Sequence, residues 1–253
     1  GVCAAKGFVA NGLNCGLNSD KNKNDLALVY SETQCQAAAV YTTNKVKGAP
    51  IQVTKAHLEA SGHTAKAVIV NSKNANTCNA DGVEKAQRMC ELAAAELSID
   101  PNEVIVASTG VIGQVLPIEP IESHIKELAK GLSADGNDKA VNAIMTTDTV
   151  PKQYAVKFML GDCECTVGGM AKGSGMIHPN MATTLNFITS DVAISSELIQ
   201  KALSEIVKVT YNCLSIDGDT STNDMVSIMA NGLAGNTPIT TENDDYQTFK
   251  DAL

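Results

Sequence analysis

Long apolar runs are missing from this chain of 253 residues. No stretch approaches the roughly eighteen consecutive apolar residues of a membrane-spanning helix, so such a span is excluded. Positive charge is also short: 19 Lys and Arg against 28 Asp and Glu leave a formal net charge of -9. That balance argues against nucleic acid or an anionic membrane surface as a partner, because both would repel the protein. The opening residues, G-V-C-A-A-K-G-F, contain neither the basic region nor the apolar run of a secretory signal. They also lack an initiating Met, which reads as a trimmed or processed start. Repeated cysteine spacing is absent as well. Eight cysteines are scattered, and the close pair Cys163 and Cys165 shares one face of a strand rather than forming a C-x-x-C metal knuckle. Reduced, mostly buried thiols of a cytoplasmic protein fit this pattern better than a secreted disulfide scaffold.

What is present is ordinary for a globular protein: 44% hydrophobic and 19% charged residues, in a length that suits one large or two modest domains. Strand-like runs at Leu26–Tyr30 and Ala37–Thr43 flank the polar S-E-T-Q-C-Q, and the Asn- and Asp-rich segment before them reads as a hairpin loop. A helix follows Pro50, and Ala67–Val70 reads as a buried strand running into an Asn-rich loop, which is either turn chemistry or the polar wall of a site. Apolar residues at steps of three and four predict a helix over Gly82–Leu97, opened by Asp81 and Glu84 in a capping-box pattern. Further helices are expected over Ile121–Leu132 and Asn137–Met145, from Ser195 or Ser196 onward, and around Tyr246 and Phe249 at the end. Strands Glu103–Ala107 and Thr184–Ser190 are joined by a hairpin pair, Gln153–Leu160 and Cys165–Lys172, across a Gly-Asp turn. Strands alternating with helices place the chain in the α/β class, without choosing among its folds.

The chemistry concentrates in Lys172 to Leu185. A glycine-broken loop delivers Ala182 and Thr183 to the head of a β-prone run. Were the Ala182–Thr183 bond cut, Thr183 would carry a hydroxyl and a free amine, and that amine can serve as base for its own hydroxyl. The plainer alternative is a β-branched residue opening a strand after an ordinary loop. In S-T-G, the Gly110 turn can free a backbone N–H to face an oxyanion beside Thr109. Lys172 leaves a strand beside the glycine loop, where it can hold a carboxylate or depress a neighbouring ammonium. Thr149 stands at a helix-to-strand corner. The run D-G-D-T-S-T-N-D contains Asp217, Asp219 and Asp224, but it lacks the Gly and terminal Glu of a calcium loop and reads instead as a polar, hydrogen-bonded turn.

The segment A-K-G-S-G-M-I-H-P-N-M-A-T-T-L resembles the processing site of the ornithine acetyltransferase family, the bifunctional glutamate N-acetyltransferases of arginine biosynthesis. T-T-N-K-V-K-G-A-P from Thr42, V-N-S-K-N-A-N from Val70, A-S-T-G-V-I-G from Ala107, A-I-M-T-T-D-T from Ala143 and D-G-D-T-S-T-N-D from Asp217 match in family order. The resemblance implies a four-layer α/β/β/α sandwich, as in the self-processing aminopeptidases and ornithine acetyltransferases, with a C-terminal part missing. It implies cleavage between Ala182 and Thr183 into fragments 1–182 and 183–253, which stay associated as a heterotetramer. Thr183 is then the acetyl carrier between N-acetylornithine and glutamate, Thr109 and Gly110 form the oxyanion hole, and Thr149, Lys172 and Thr183 bind substrate. No metal or cofactor is implied, although some members also take acetyl-CoA as donor. Lys73 departs from the family's usual glycine, and Thr184 raises the question of which hydroxyl reacts. The rivals are a self-processing amidase or aminopeptidase, and a non-catalytic fragment.

Overall fold

The structure is a computed structural model that describes residues 1–176 and 184–253. It opens with β1 (Phe8–Leu13), which turns back through the polar loop into β2 (Leu26–Tyr41), pairing antiparallel with Leu13 opposite Leu26. The two separate strands expected at 26–30 and 37–43 are one strand. The polar S-E-T-Q-C-Q that divides them in sequence is a bulge, where pairing shifts between Tyr30 and Cys35. The bulge lets β2 run through both halves of one continuous hydrogen-bonded sheet, which folds over at this strand into two facing layers. Its first half pairs with β1 and with β3 (Thr64–Asn71), which lies parallel to β4 (Val104–Ser108). Its second half, Gln36 to Tyr41, pairs with β8 (Met225–Ala230), and β7 (Leu185–Ser190), β6 (Cys163–Lys172) and β5 (Lys152–Leu160) follow outward.

Alternation along each strand shows how the two halves face each other. Val29, Val70 and Ala107 from the first half share one buried core with Met170, Phe187 and Met229 from the second. The residues between them point outward on either side. Leu28, Ile69 and Val106 pack under α1 (Ala49–Ala60), α2 (Gly82–Leu97) and α3 (Glu119–Lys130). Val167, Val226 and Ile228 pack under α5 (Ser196–Val209) and α6 (Asp244–Ala252). The order is therefore helices, sheet, sheet, helices, the four-layer α/β/β/α arrangement. A short helix, α4 (Asn137–Ile144), inserts Val141 and Ile144 into the central core against β1 and β2.

Helices with a clear apolar stripe form where the periodicity places them, and α2 keeps the expected ends. Its cap is different: Asp81 makes no capping hydrogen bond, whereas the capping box belongs to Asp100 and Glu103 around a short 3-10 turn. Ser195 caps α5, accepting from Leu198 N–H at 3.4 Å. The hairpin of β5 and β6 turns on Gly161 and Asp162, with Leu160 opposite Cys163. None of the cysteines is in a disulfide; Cys15, Cys35, Cys90 and Cys165 are buried, and Cys78 and Cys213 are exposed. Among the described residues no helix is long and apolar enough to cross a membrane.

Because the β2 bulge lies at the far end of the sandwich, both ends of β2 return to the near end. There the C-termini of β3, β4 and β6 meet the N-termini of β7 and β8. Ser72 N–H donates to Asp25 O at 2.8 Å on one side, and Thr42 N–H donates to Asp224 O at 3.0 Å on the other. This end holds the chemistry-bearing residues.

Candidate active site

β4 ends at Ser108, and the next two residues turn sharply toward the second sheet. Thr109 N–H donates to Asn71 O at 3.0 Å, and Val111 N–H donates to Lys73 O at 3.1 Å. What the corner can offer a ligand is therefore the Thr109 hydroxyl and the peptide N–H of Gly110. Gly110 has φ 135°, and a Cβ there would lie 2.1 Å from Lys73 C and 2.4 Å from its oxygen. Both the backbone conformation and the close approach require glycine.

Across the gap stands Lys172, the last residue of β6, only 5% exposed. Its Nζ donates to Thr109 Oγ1 at 3.0 Å. That bond occupies an acceptor site of the hydroxyl and leaves its proton to point elsewhere. Burial depresses the Lys172 ammonium below its ordinary range, against the opposing charges of Asp148 and Asp224. Asp148 is itself tied down: its Oδ1 accepts from Lys152 Nζ at 2.6 Å and from Gly173 N–H at 2.9 Å. Burial works to raise the Asp148 carboxyl, but those two bonds and a third from Thr146 N–H outweigh it and hold it below the usual value. Asp224, just before β8, is 1% exposed, and burial pushes its carboxyl up to about 8.

A cavity of about 420 Å³ opens over this corner. Thr109, Gly110 and Lys172 form one wall, Thr146 and Thr147 a second, Ser221 to Asn223 a third, and Val111, Ile112 and Met176 supply an apolar rim. Asn223 holds the walls together. Its Nδ2 donates to Ala75 O at 2.6 Å and Ser108 O at 2.9 Å, while its Oδ1 accepts from the Thr77 and Thr222 hydroxyls, each at 2.6 Å. The Asn-rich loop after β3 is both turn and wall. Asn71, Asn74 and Asn76 spend their amides on loop carbonyls, whereas Lys73 and Ala75 line the cavity. Lys73 has φ 76°, a left-handed conformation that suits glycine and costs a side-chain-bearing residue about 1–2 kcal/mol.

Of the residues singled out in the sequence, Thr109, Gly110 and Lys172 are brought together. Thr149 is exposed and is not among the residues lining this cavity; Thr146 and Thr147, from the same T-T-D-T run, are. Ala182 and Thr183 lie outside the described residues. Thr184, the first described residue after them, is buried, and its carbonyl accepts from Met225 N–H at 3.1 Å. Asp217 accepts from Met176 N–H at 2.6 Å, which ties D-G-D-T-S-T-N-D to the glycine loop. Asp148 and Asn223 carry no mark in the sequence beyond their places in T-T-D-T and D-G-D-T-S-T-N-D, and Asp224 reads from the sequence only as one carboxylate of an incomplete calcium loop.

The ArgJ family model matches residues 9–253. The arginine biosynthesis bifunctional protein ArgJ 1 of Clostridium acetobutylicum is 50% identical over 247 residues, covering 97% of this chain and 60% of that protein. The chain thus spans about 60% of the length of the curated relatives it matches. Among solved structures, the arginine biosynthesis bifunctional protein argJ of Bacillus halodurans aligns with a TM-score of 0.66 at 40% identity, over 72% of this chain and 94% of that one. Ornithine acetyltransferase of Mycobacterium tuberculosis, solved in complex with ornithine, aligns with a TM-score of 0.63 at 34% identity, over 73% and 96%. A family match that begins within β1 and runs to the last residue places the whole sandwich, and the corner at its end, within one family: the chain belongs to the ArgJ family.

Proposed function

We propose that this chain carries the acyl-transfer half-site of an enzyme that moves an acetyl group from N-acetylornithine to glutamate, through Thr183. The observation that carries the reading is the corner itself. A threonine hydroxyl held from behind by a buried ammonium, next to a glycine N–H, faces the cavity at the foot of the loop that leads toward residue 183. Family membership supports it, as does the ornithine bound in the Mycobacterium tuberculosis relative.

In this reading the Thr183 hydroxyl attacks the Ala182 carbonyl, and hydrolysis of the resulting ester leaves residues 1–182 and 183–253. Thr183 Oγ, its proton passed to the new amine, then attacks the acetyl carbonyl of N-acetylornithine. Charge gathering on that oxygen is met by the Thr109 hydroxyl and the Gly110 N–H, a contribution of about 3–4 kcal/mol per donor. Ornithine leaves with the proton, and the amino group of glutamate attacks the acetyl-threonine in the second half of a ping-pong cycle. Lys172 acts through Thr109, aligning its proton with the oxyanion, and the wall formed by Thr146 and Thr147, rather than Thr149, positions the amino-acid substrate. The two fragments remain associated in the assembled enzyme. Supplying the full-length protein with N-acetylornithine and glutamate tests this. Production of N-acetylglutamate supports the reading, and release of free acetate with no N-acetylglutamate assigns the site to hydrolysis instead.

A further inference from the structure

Lys73 is strained, and nothing inside the fold offsets the strain. Its φ of 76° lies in the left-handed region that suits glycine. The neighbouring corner imposes that conformation. Val111 N–H donates to Lys73 O at 3.1 Å, and Gly110 approaches so closely that a Cβ there would lie 2.1 Å from Lys73 C. Glycine at position 73 would meet the same demand without strain, so the backbone gives no reason for a lysine. Burial gives none either. The side chain is exposed, and among the described residues its ammonium makes no ion pair. A side chain kept on a strained backbone without a partner in the fold points to a partner outside it.

The position of Lys73 narrows what that partner is. Lys73 and Thr146 line the cavity over the Thr109 corner and also a second cavity of about 420 Å³, so the two cavities border each other at these residues. Among the described residues no Asp or Glu lines the first cavity, and its other cation, Lys172, is buried and engaged with Thr109. The second adds Lys23 and Lys139 against Asp138 and Asp148, and Asp148 is already paired with Lys152 at 2.6 Å. Positive charge therefore gathers at the border, in a chain whose net charge is -9. A cleft of that sign draws anions from solution. The anion that both proposed substrates carry is a carboxylate.

We propose that Lys73 is a specificity-determining residue of this site, whose ammonium receives the α-carboxylate of the amino-acid substrate where the two cavities meet. This deepens, and rests on, the acetyl-transfer reading given above. N-acetylornithine and glutamate share the α-carboxylate and differ at the far end, an ammonium in one and a carboxylate in the other. A cation placed on the shared group serves both halves of the cycle and leaves the far end free to vary. Lys73 takes no part in proton transfer, so binding depends on it and the chemical step does not. Glycine in its place relaxes the backbone and removes the cation, so stability and affinity should move in opposite directions.

The test uses the full-length protein with Lys73→Met, Lys73→Arg and Lys73→Gly. In Lys73→Met, KM for N-acetylornithine and for glutamate should each rise about tenfold with kcat within about twofold, as for loss of a hydrogen bond to a charged group. Lys73→Arg should keep KM near wild type. Lys73→Gly should raise KM as Lys73→Met does and yet raise the melting temperature, whereas loss of a merely structural lysine would lower it. N-acetylputrescine, the donor without its carboxylate, isolates the contact: wild type and Lys73→Met should use it equally poorly. Unchanged KM in Lys73→Met overturns the proposal, as does a fall in kcat alone, or a rise in KM that is just as large with N-acetylputrescine. If the wild type makes no N-acetylglutamate, the underlying reading fails, and calorimetric titration with glutamate decides the role of Lys73 by itself. Binding about tenfold weaker in Lys73→Met then supports the contact, and equal or absent binding overturns it.

Discussion

Thr109 sits at a crossing of demands that few residues can meet. Its N–H is spent on Asn71, its oxygen accepts from Lys172, and its hydroxyl proton is what remains for a ligand. Thr109→Ala should therefore lower kcat by roughly 10²–10³-fold, and it should also lower the melting temperature, because the buried Lys172 ammonium loses this acceptor. Steady-state kinetics with a parallel thermal melt checks it; unchanged kcat would remove Thr109 from the mechanism. Gly110→Ala should fail differently. A methyl group placed 2.1 Å from the Lys73 backbone, at φ 135°, strains the fold as well as the corner. Loss of a few kcal/mol of unfolding free energy is expected by denaturant titration, with activity falling alongside. At this scale the sequence is legible where a motif marks the residues that meet in space: S-T-G, Lys172 and the D-G-D-T-S-T-N-D turn converge on one cavity. It was silent on Asp148 and Asn223, because their roles depend on partners far along the chain, such as Asp148 with Gly173 and Asn223 with Ser108.

Among the elements, legibility followed how local the cause is. α2 could be placed because its apolar stripe is written into consecutive turns, and Met89, Cys90 and Ala93 fill the layer beneath it. Met89 is fully buried, so Met89→Ala should cost about 2–5 kcal/mol. Chemical denaturation reads that loss directly, and a cost under 1 kcal/mol would mean that the layer collapses around the gap. The β2 strand was misread for the opposite reason. Its middle is polar because the bulge at the turn between sheets exposes it, and a local pattern cannot distinguish a bulge from a loop. The order of strands in the second sheet was equally hidden, since parallel pairing of β7 with β8 joins segments separated by a helix and a long loop.

The molecule as a whole is a sandwich with its chemistry at one end, and the pH dependence of its stability should carry the mark of Asp224. An unfolded aspartate loses its proton near 4, whereas the folded one does so at about 8. Between those values the folded chain holds the extra proton, so the Asp224 contribution to stability falls as pH rises through that window. On uncut Thr183→Ala protein, where no new amine intervenes, adding Asp224→Asn should flatten this slope. Melting temperatures at several pH values check it, and parallel slopes in the two proteins would refute it. The proposed chemistry depends on the bond before residue 183. Intact mass after denaturation tests it most directly. Two pieces are expected from the wild-type chain, divided between Ala182 and Thr183, and one uncut chain from Thr183→Ala. A single wild-type chain that nonetheless transfers acetyl groups, or a Thr183→Ala chain cut at the same place, would contradict it.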